Sequence, residues 1–299
     1  MESSIVSAVI LPLSLFIVMA GIGLSLKVDD FANVIKYPRT VITGLCGQLI
    51  LLPLIALVMI WLIPFTTPLV AAGFLIIALA PGGATSNLFT FLAKGEVAAS
   101  ISLTAVISLV TPFTIPILAA WFLNVIDPGQ IELPIGQTVV QLVAITFVPV
   151  TLGMVIRRYA TRIARKMQTP VQIFSLVTLF IIIAGLMVEN WSVFVDNFAT
   201  MAPWVTLLVA IAFAGGYTLA RIAGVTEAGR RTLSFEIGLQ NGTTALLVTA
   251  TILQIPETTI APMFYSIVMF IFAGAALLVF RRMGTPATSE VAREEAAKV

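Results

Sequence analysis

Uncharged stretches dominate this chain and decide what it can fold into. Residues 3–26, 40–93, 97–126, 133–156, 167–188, 197–220, 237–256 and 258–280 hold no Asp, Glu, Lys or Arg. Each is near or above the ~20 residues a helix needs to cross a bilayer core. Of 299 residues, 59% are apolar and only 10% charged, against roughly 45–50% and 25% in soluble domains. A water-soluble globule is excluded, and an all-α polytopic membrane protein is expected, because a helix satisfies its own backbone in lipid. The net charge of +2 gives no footprint for nucleic acid. Cys46 is the lone cysteine and there is no histidine, so neither an intramolecular disulfide nor a soft-metal site can be assembled.

The start, Met1-Glu2-Ser3-Ser4 and then apolar residues to Leu26, lacks the basic region and cleavage site of a signal peptide and reads as a first span. Nine transmembrane helices, at about 5–26, 40–63, 68–93, 97–124, 134–156, 169–188, 201–223, 232–254 and 259–280, make the connections alternate between two sides. All 16 basic residues then fall on one side, including Lys27, Lys36, Arg39, Lys94, the cluster Arg157 to Lys166, Arg221, Arg230, Arg231, Arg281 and Arg282. Glu2, Asp127, Glu132, Glu189, Asp196 and Glu257 fall on the other. Basic loops stay inside, so the N-terminus is expected outside and the C-terminus in the cytoplasm, in a bacterial inner (plasma) membrane. The 281–299 segment reads as a cytoplasmic tail. The Arg157 to Lys166 cluster reads as a topology signal, with contact to anionic headgroups as the alternative. Trp61, Trp121, Trp191 and Trp204 read as an interfacial belt.

Two spans are built wrongly for plain anchors. The third carries Ala80-Pro81-Gly82-Gly83-Ala84-Thr85-Ser86-Asn87, where Pro removes a donor and the paired Gly weakens the helix. The eighth carries Ser234-Phe235-Glu236-Ile237-Gly238-Leu239-Gln240-Asn241-Gly242-Thr243-Thr244. Irregular backbone at membrane depth persists only where it lines a cavity or is buried in protein. Glu236 is the acidic residue that no loop or tail accommodates, and an intramembrane carboxylate is a functional candidate by default. Breaks are expected at 81–87 and 236–242. If the chain lacks the first helix of a five-helix repeat, the two broken spans occupy corresponding places in inverted repeats, which points to a secondary transporter's midplane site. Carboxylate, amide, hydroxyl and freed carbonyl oxygens suit a hard cation, while the new helix N-termini suit an anion. Cation-coupled uptake of an anion is the natural inference.

These residues resemble the bile acid:sodium symporters over essentially the whole chain. Pro81-Gly82-Gly83-x-x-Ser86-Asn87, the Lys94-Gly95 corner, then Ser100 and Thr104, resemble the family's first crossover motif. Glu236-x-Gly238-x-Gln240-Asn241 resembles its second, Gln48 with Pro53 its Gln-containing helix, and Gly21-x-Gly23-Leu24 before Asp29-Asp30-Phe31 its first helix end. The resemblance implies two sodium ions. One would sit among Ser86, Asn87, Ser100, Thr104 and Glu236; the second would use Gln48, Glu236, Gln240 and the carbonyls of Ile237 and Leu239. It also implies a panel domain of helix 1 (1–26) and helices 5 and 6 (134–188), and a core domain of helices 2–4 (40–124) and 7–9 (201–280) containing two crossing broken helices. Thr85, Asn241 and Thr243 are the substrate-binding candidates. The implied function is a sodium symporter for organic anions, either bile acids or small carboxylates such as pantoate, working by alternating access with no obligate protein partner.

Rival readings stay open at this point. Read alone, Ser100 and Thr104 share a helix face at i and i+4 and could bond their own helix carbonyls, while Gln48 could be helix–helix glue. A desolvated Glu236 could carry protons in place of sodium. An intramembrane enzyme lacks its histidine, catalytic serine motif and paired carboxylates. A passive channel would be excluded by uphill, sodium-driven flux.

Overall fold

The computed structural model describes residues 9–27, 30, 34–62, 67–126 and 133–286. Glu2, Asp29, Asp127, Glu132, Arg293 and Lys298, which bear on topology, and the tail beyond Pro286, lie outside the described residues.

The described chain is helical. We number α1 Leu11–Ser25, α2 Pro38–Cys46, α3 Leu52–Leu62, α4 Pro68–Leu79, α5 Thr85–Leu92, α6 Val97–Ile126, α7 Ile135–Tyr159, α8 Thr161–Glu189, α9 Trp191–Ile222, α10 Glu227–Gly238, α11 Gly242–Leu246 and α12 Pro256–Arg282. Among the described residues six helical stretches are long and apolar enough to cross a membrane: Pro38–Leu62, Val97–Val125, Ile135–Tyr159, Thr169–Glu189, Trp191–Ile222 and Pro256–Arg282. Leu11–Ser25, Pro68–Leu79 and Gly242–Leu253 are apolar but shorter. The last two are short because the third and eighth expected spans break. Large apolar side chains cover the outside, Ile50, Leu54, Val58, Ile117, Val148 and Ile181 among them, a surface that water would not tolerate in a monomer.

Among the described residues π-helix is wound at Gly47–Leu51, joining α2 to α3, and at Leu247–Leu253, following α11. Sequence periodicity does not announce either one. The first contains Gln48, and such bulges gather at functional sites.

Close helix crossings depend on glycine. α1 lies against α7 and α8, and at its crossing with α7 an added Cβ on Gly23 would stand 2.2 Å from the Val150 carbonyl oxygen. One on Gly153 would stand 2.3 Å from that of Ala20. α4 lies against α12, where a Cβ on Gly73 would come within 2.1 Å of the Thr258 carbonyl oxygen. Small residues at such points let backbones touch, the main source of helix affinity in lipid.

Helix boundaries have local causes. Thr67 caps α4 by accepting from the Val70 N–H, with Pro68 in the first turn. α4 stops at Leu79 because Ala80 precedes Pro81 and takes extended backbone, ψ 153°, as a residue before proline prefers. Thr226 caps α10 by accepting from Gly229 N–H. α10 therefore begins five residues before the expected span at 232, and the break that follows occupies 239–241 rather than 236–242.

Candidate functional site

The two breaks cross and complete each other. The Gly83 N–H donates to the Leu239 carbonyl at 2.7 Å and the Asn241 N–H donates to the Pro81 carbonyl at 2.7 Å, and Gly82 and Gln240 form an isolated antiparallel bridge. Backbone groups freed from two helices are thus satisfied at depth. The segments pass closely: a Cβ on Gly82 would lie 3.1 Å from the Glu236 carbonyl oxygen and 3.3 Å from its Oε2, so that either would have to give by a few tenths of an ångström. Tyr265 of α12 donates to the Gly238 carbonyl at 3.0 Å, answering one of α10's last free acceptors.

Glu236, in α10's last turn and 1% exposed, is ringed by hydroxyls from two other helices. Ser86 of α5 donates to its Oε1 at 2.5 Å, Ser100 of α6 donates to the same oxygen, and Thr104 of α6 donates to Oε2 at 2.8 Å. Ser100 Oγ also lies 2.7 Å from Asn87 Oδ1 and 3.4 Å from Thr90 Oγ1. One hydroxyl proton cannot serve three oxygens. The cluster therefore holds more acceptors than donors, all of them hard oxygens, the ligand type that takes an alkali or alkaline-earth cation. Every residue expected in the first sodium site is brought together here, and Thr90, fully buried, is an addition that its place on α5 four residues after Ser86 would have flagged.

Of the second expected set, Gln48, Gln240 and the Ile237 carbonyl meet directly. Gln48 Nε2 donates to Gln240 Oε1 at 2.6 Å and to the Ala80 carbonyl at 2.7 Å, and Gln240 Nε2 donates to the Ile237 carbonyl at 2.7 Å and to Gln48 Oε1 at 3.2 Å. The Ile237 and Leu239 carbonyls thus each accept one hydrogen bond already, from Gln240 and Gly83, leaving each oxygen a second lone pair. Thr85, Asn241 and Thr243 line one narrow cleft beside the crossing, with Gly83, Met269 and Phe270. Asn241 Oδ1 caps α11 by accepting from Thr244 N–H. Its Nδ2, buried, finds no acceptor among the described residues.

One residue was missed. Glu96 follows the Lys94-Gly95 corner and reads as a loop charge, yet it is 6% exposed. Thr40 donates to its Oε2 at 2.8 Å and Thr226 to its Oε1 at 2.6 Å, while its own N–H donates to Thr232 Oγ1 at 2.8 Å. Thr40 lies in the first turn of α2, Thr226 caps α10, and Glu96 itself precedes α6, so three positive helix ends face one carboxylate. Next to it Arg231, 2% exposed, donates to the Ala93 and Gly284 carbonyls at 3.1 and 3.0 Å and to Glu227 Oε1 at 3.2 Å. This knot joins the helices that carry Gln48, Ser86, Ser100 and Glu236. Glu96→Ala leaves the buried Thr40 hydroxyl and the half-buried Thr226 hydroxyl without their acceptor and is expected to cost about 1–3 kcal/mol, read as a lowered unfolding temperature in detergent. An unchanged temperature would remove this role.

A family model described as the Sodium Bile acid symporter family matches residues 12–197. The chain is 26% identical over 238 residues to the "Uncharacterized sodium-dependent transporter YocS" of Bacillus subtilis, covering 78% of this chain and 72% of that one. It is 27% identical over 288 residues to the human "Ileal sodium/bile acid cotransporter", covering 92% and 79%. With the rice "Probable sodium/metabolite cotransporter BASS1, chloroplastic" it shares 26% over 226 residues, 75% of this chain and 54% of that protein.

Proposed function

The chain belongs to the Sodium Bile acid symporter family, and on that premise we propose that it carries a small organic anion into the cytoplasm together with sodium ions. Symporters bind and move their cargo without converting it, so no enzymatic step is assigned. The observation that carries the reading is the all-oxygen cage around Glu236, built from α5, α6 and the last turn of α10.

In this reading Ser86, Asn87, Ser100, Thr104 and Glu236 hold one sodium ion. Gln48, Gln240, Glu236 and the Ile237 and Leu239 carbonyls hold a second. The substrate carboxylate binds at Thr85, Asn241 and Thr243, and the buried Asn241 amide lacking an acceptor supports an anion there. Since the cations and the anion share the ordered backbone of the crossing, each raises the affinity for the other by linkage. Two sodium ions with one monoanion move one net charge, to which 100 mV contributes about 2.3 kcal/mol. Bile acids and small carboxylates such as pantoate are the candidate substrates.

Nine spans in inverted repeats frame this site, lacking one helix in the first half. The two breaks, whose backbones pair antiparallel at Gly82 and Gln240, are what supports that repeat. Helix 1 with helices 5 and 6 forms the panel, supported by the packing of α1 on α7 and α8, and the remaining helices form the core that rocks against it. The basic end faces the cytoplasm of a bacterial inner membrane, supported by the segregation of Lys and Arg.

Thermal stability of the purified chain with a panel of carboxylates, including taurocholate and pantoate, tests the reading in sodium against potassium. A sodium-selective stabilisation that grows with one acid is expected. Equal responses in the two cations, with uptake that follows pH instead, would overturn sodium coupling.

A further inference from the structure

Beyond the α1–α7 crossing the two helices diverge. Backbone contact at Gly23 and Gly153 fixes where they meet. α1 then ends at Ser25 and Leu26 turns to extended backbone, ψ 142°, while α7 runs on to Tyr159. Between them opens a cleft of about 540 Å³ walled by Leu26, Met154 and Val155 and carrying Lys27, Arg157 and Arg158. It shares no residue with the two crossing breaks.

Among the described residues the cleft's lining holds three cations and no carboxylate; Asp30, a described acid nearby, accepts from the Lys27 backbone N–H at 2.7 Å. Arg158 lies over the Tyr159 ring, 5.7 Å from its centroid. Arg157 differs from its neighbours. Its Nε and Nη1 are shielded from solvent and have no acceptor among the described residues. A place in α7's last turn explains why a cation is tolerated there, through the helix dipole, but a dipole supplies no acceptor to shielded N–H groups, and leaving them unmade is expensive. A guanidinium edge with two free donors matches the paired oxygens of a phosphate or carboxylate.

The surroundings choose between a free anion and a lipid. Leu152 and Val155, 47% and 46% exposed, continue from the cleft along the apolar outer face of α7 one helical turn apart. That face continues at i, i+3 and i+6 to Arg158, so a phosphate held between Arg157 and Arg158 would sit at the end of a strip suited to an acyl chain, and basic pockets between helices at the cytoplasmic side take such headgroups. We propose that this cleft binds the phosphate of an anionic phospholipid, with Arg157 Nε and Nη1 donating to its oxygens, Lys27 and Arg158 flanking it, and a chain lying along Leu152 and Val155.

The test adds phosphatidylglycerol or phosphatidylcholine to the intact chain in neutral detergent and follows thermal unfolding together with retained lipid in native mass spectrometry. Phosphatidylglycerol is expected to bind and stabilise at a concentration at least about fivefold below phosphatidylcholine. Arg157→Gln and, on the opposite wall, Lys27→Gln should each weaken that binding about fivefold or more, the effect of one basic residue at an anionic surface. Arg162→Gln, on the exposed face of α8, should leave it unchanged. Should Arg157→Gln not fold, Lys27→Gln decides. Equal binding of the two lipids, or binding unaltered by the cleft variants, would overturn the proposal, and an equal shift with inorganic phosphate alone would overturn the lipid as its occupant.

Discussion

Replacing Glu236 with Gln is expected to abolish sodium-stimulated uptake while the protein stays folded. Gln has the volume of Glu and keeps one carbonyl oxygen for Ser86 and Ser100, which donate to Glu236 Oε1. Its amide nitrogen replaces Oε2, whose donor is Thr104 Oγ1 at 2.8 Å, and a hydroxyl can turn to accept instead. Packing and hydrogen bonds therefore survive and only the charge is lost. Leaving a buried ion without its counter-charge costs about 3–5 kcal/mol, which is more than about a hundredfold in sodium affinity. Uptake into proteoliposomes at fixed pH, with sodium varied against potassium, measures the loss. A matched unfolding temperature establishes that the variant is folded. Full sodium-dependent transport by Glu236→Gln would remove this carboxylate from the cation site.

How far the sequence carried to this point differs from residue to residue, and the differences have physical causes. The start of the first break was legible because it depends on local chemistry: Pro81 forces Ala80 out of the helical region whatever surrounds it. The clustering of Ser86, Ser100 and Thr104 on Glu236 was legible only through the family resemblance, since spacing alone allows each hydroxyl to bond its own helix. Glu96 was not legible at all. Its burial is made by Thr40 and Thr226, 56 and 130 residues away, and a charge next to Lys94-Gly95 reads as solvent-facing. Arg230 and Arg231 misled the helix boundary in the same way. They suggested that the eighth span starts after them, yet Arg231 is buried within α10, held by carbonyls of two other segments. The π-helical turn at Gln48 left no sequence mark, because a π-bulge adds one residue without changing composition.

Gly73→Val should be the most damaging apolar substitution away from the crossing, and the reason connects packing to the site. Nothing in the run Val70-Ala71-Ala72-Gly73-Phe74 sets this glycine apart from one placed by chance. In the fold an added Cβ would stand 2.1 Å from the Thr258 carbonyl oxygen of α12. That neighbour is backbone and cannot swing aside, so α4 and α12 must separate along their length. Overpacking of this kind costs about 1–3 kcal/mol and occasionally more. Lost close contact is not regained from lipid, which is as apolar as the side chains. The displacement also reaches the proposed cation site, because α4 leads directly into Ala80, whose carbonyl takes the Gln48 amide at 2.7 Å. Gly73→Val is therefore expected to lower both the folded yield and the sodium-dependent rise in unfolding temperature, with Gly73→Ala intermediate. Gly136→Ala provides the contrast. It too lies in an apolar helix, but nothing stands within 4 Å of its added Cβ, and alanine is the better helix former. Size-exclusion profiles and unfolding temperatures of the three variants separate the cases: a Gly73→Val protein that folds and responds to sodium like the parent would mean that α4 and α12 can part without moving Ala80, and the link from this crossing to the cation site would be lost.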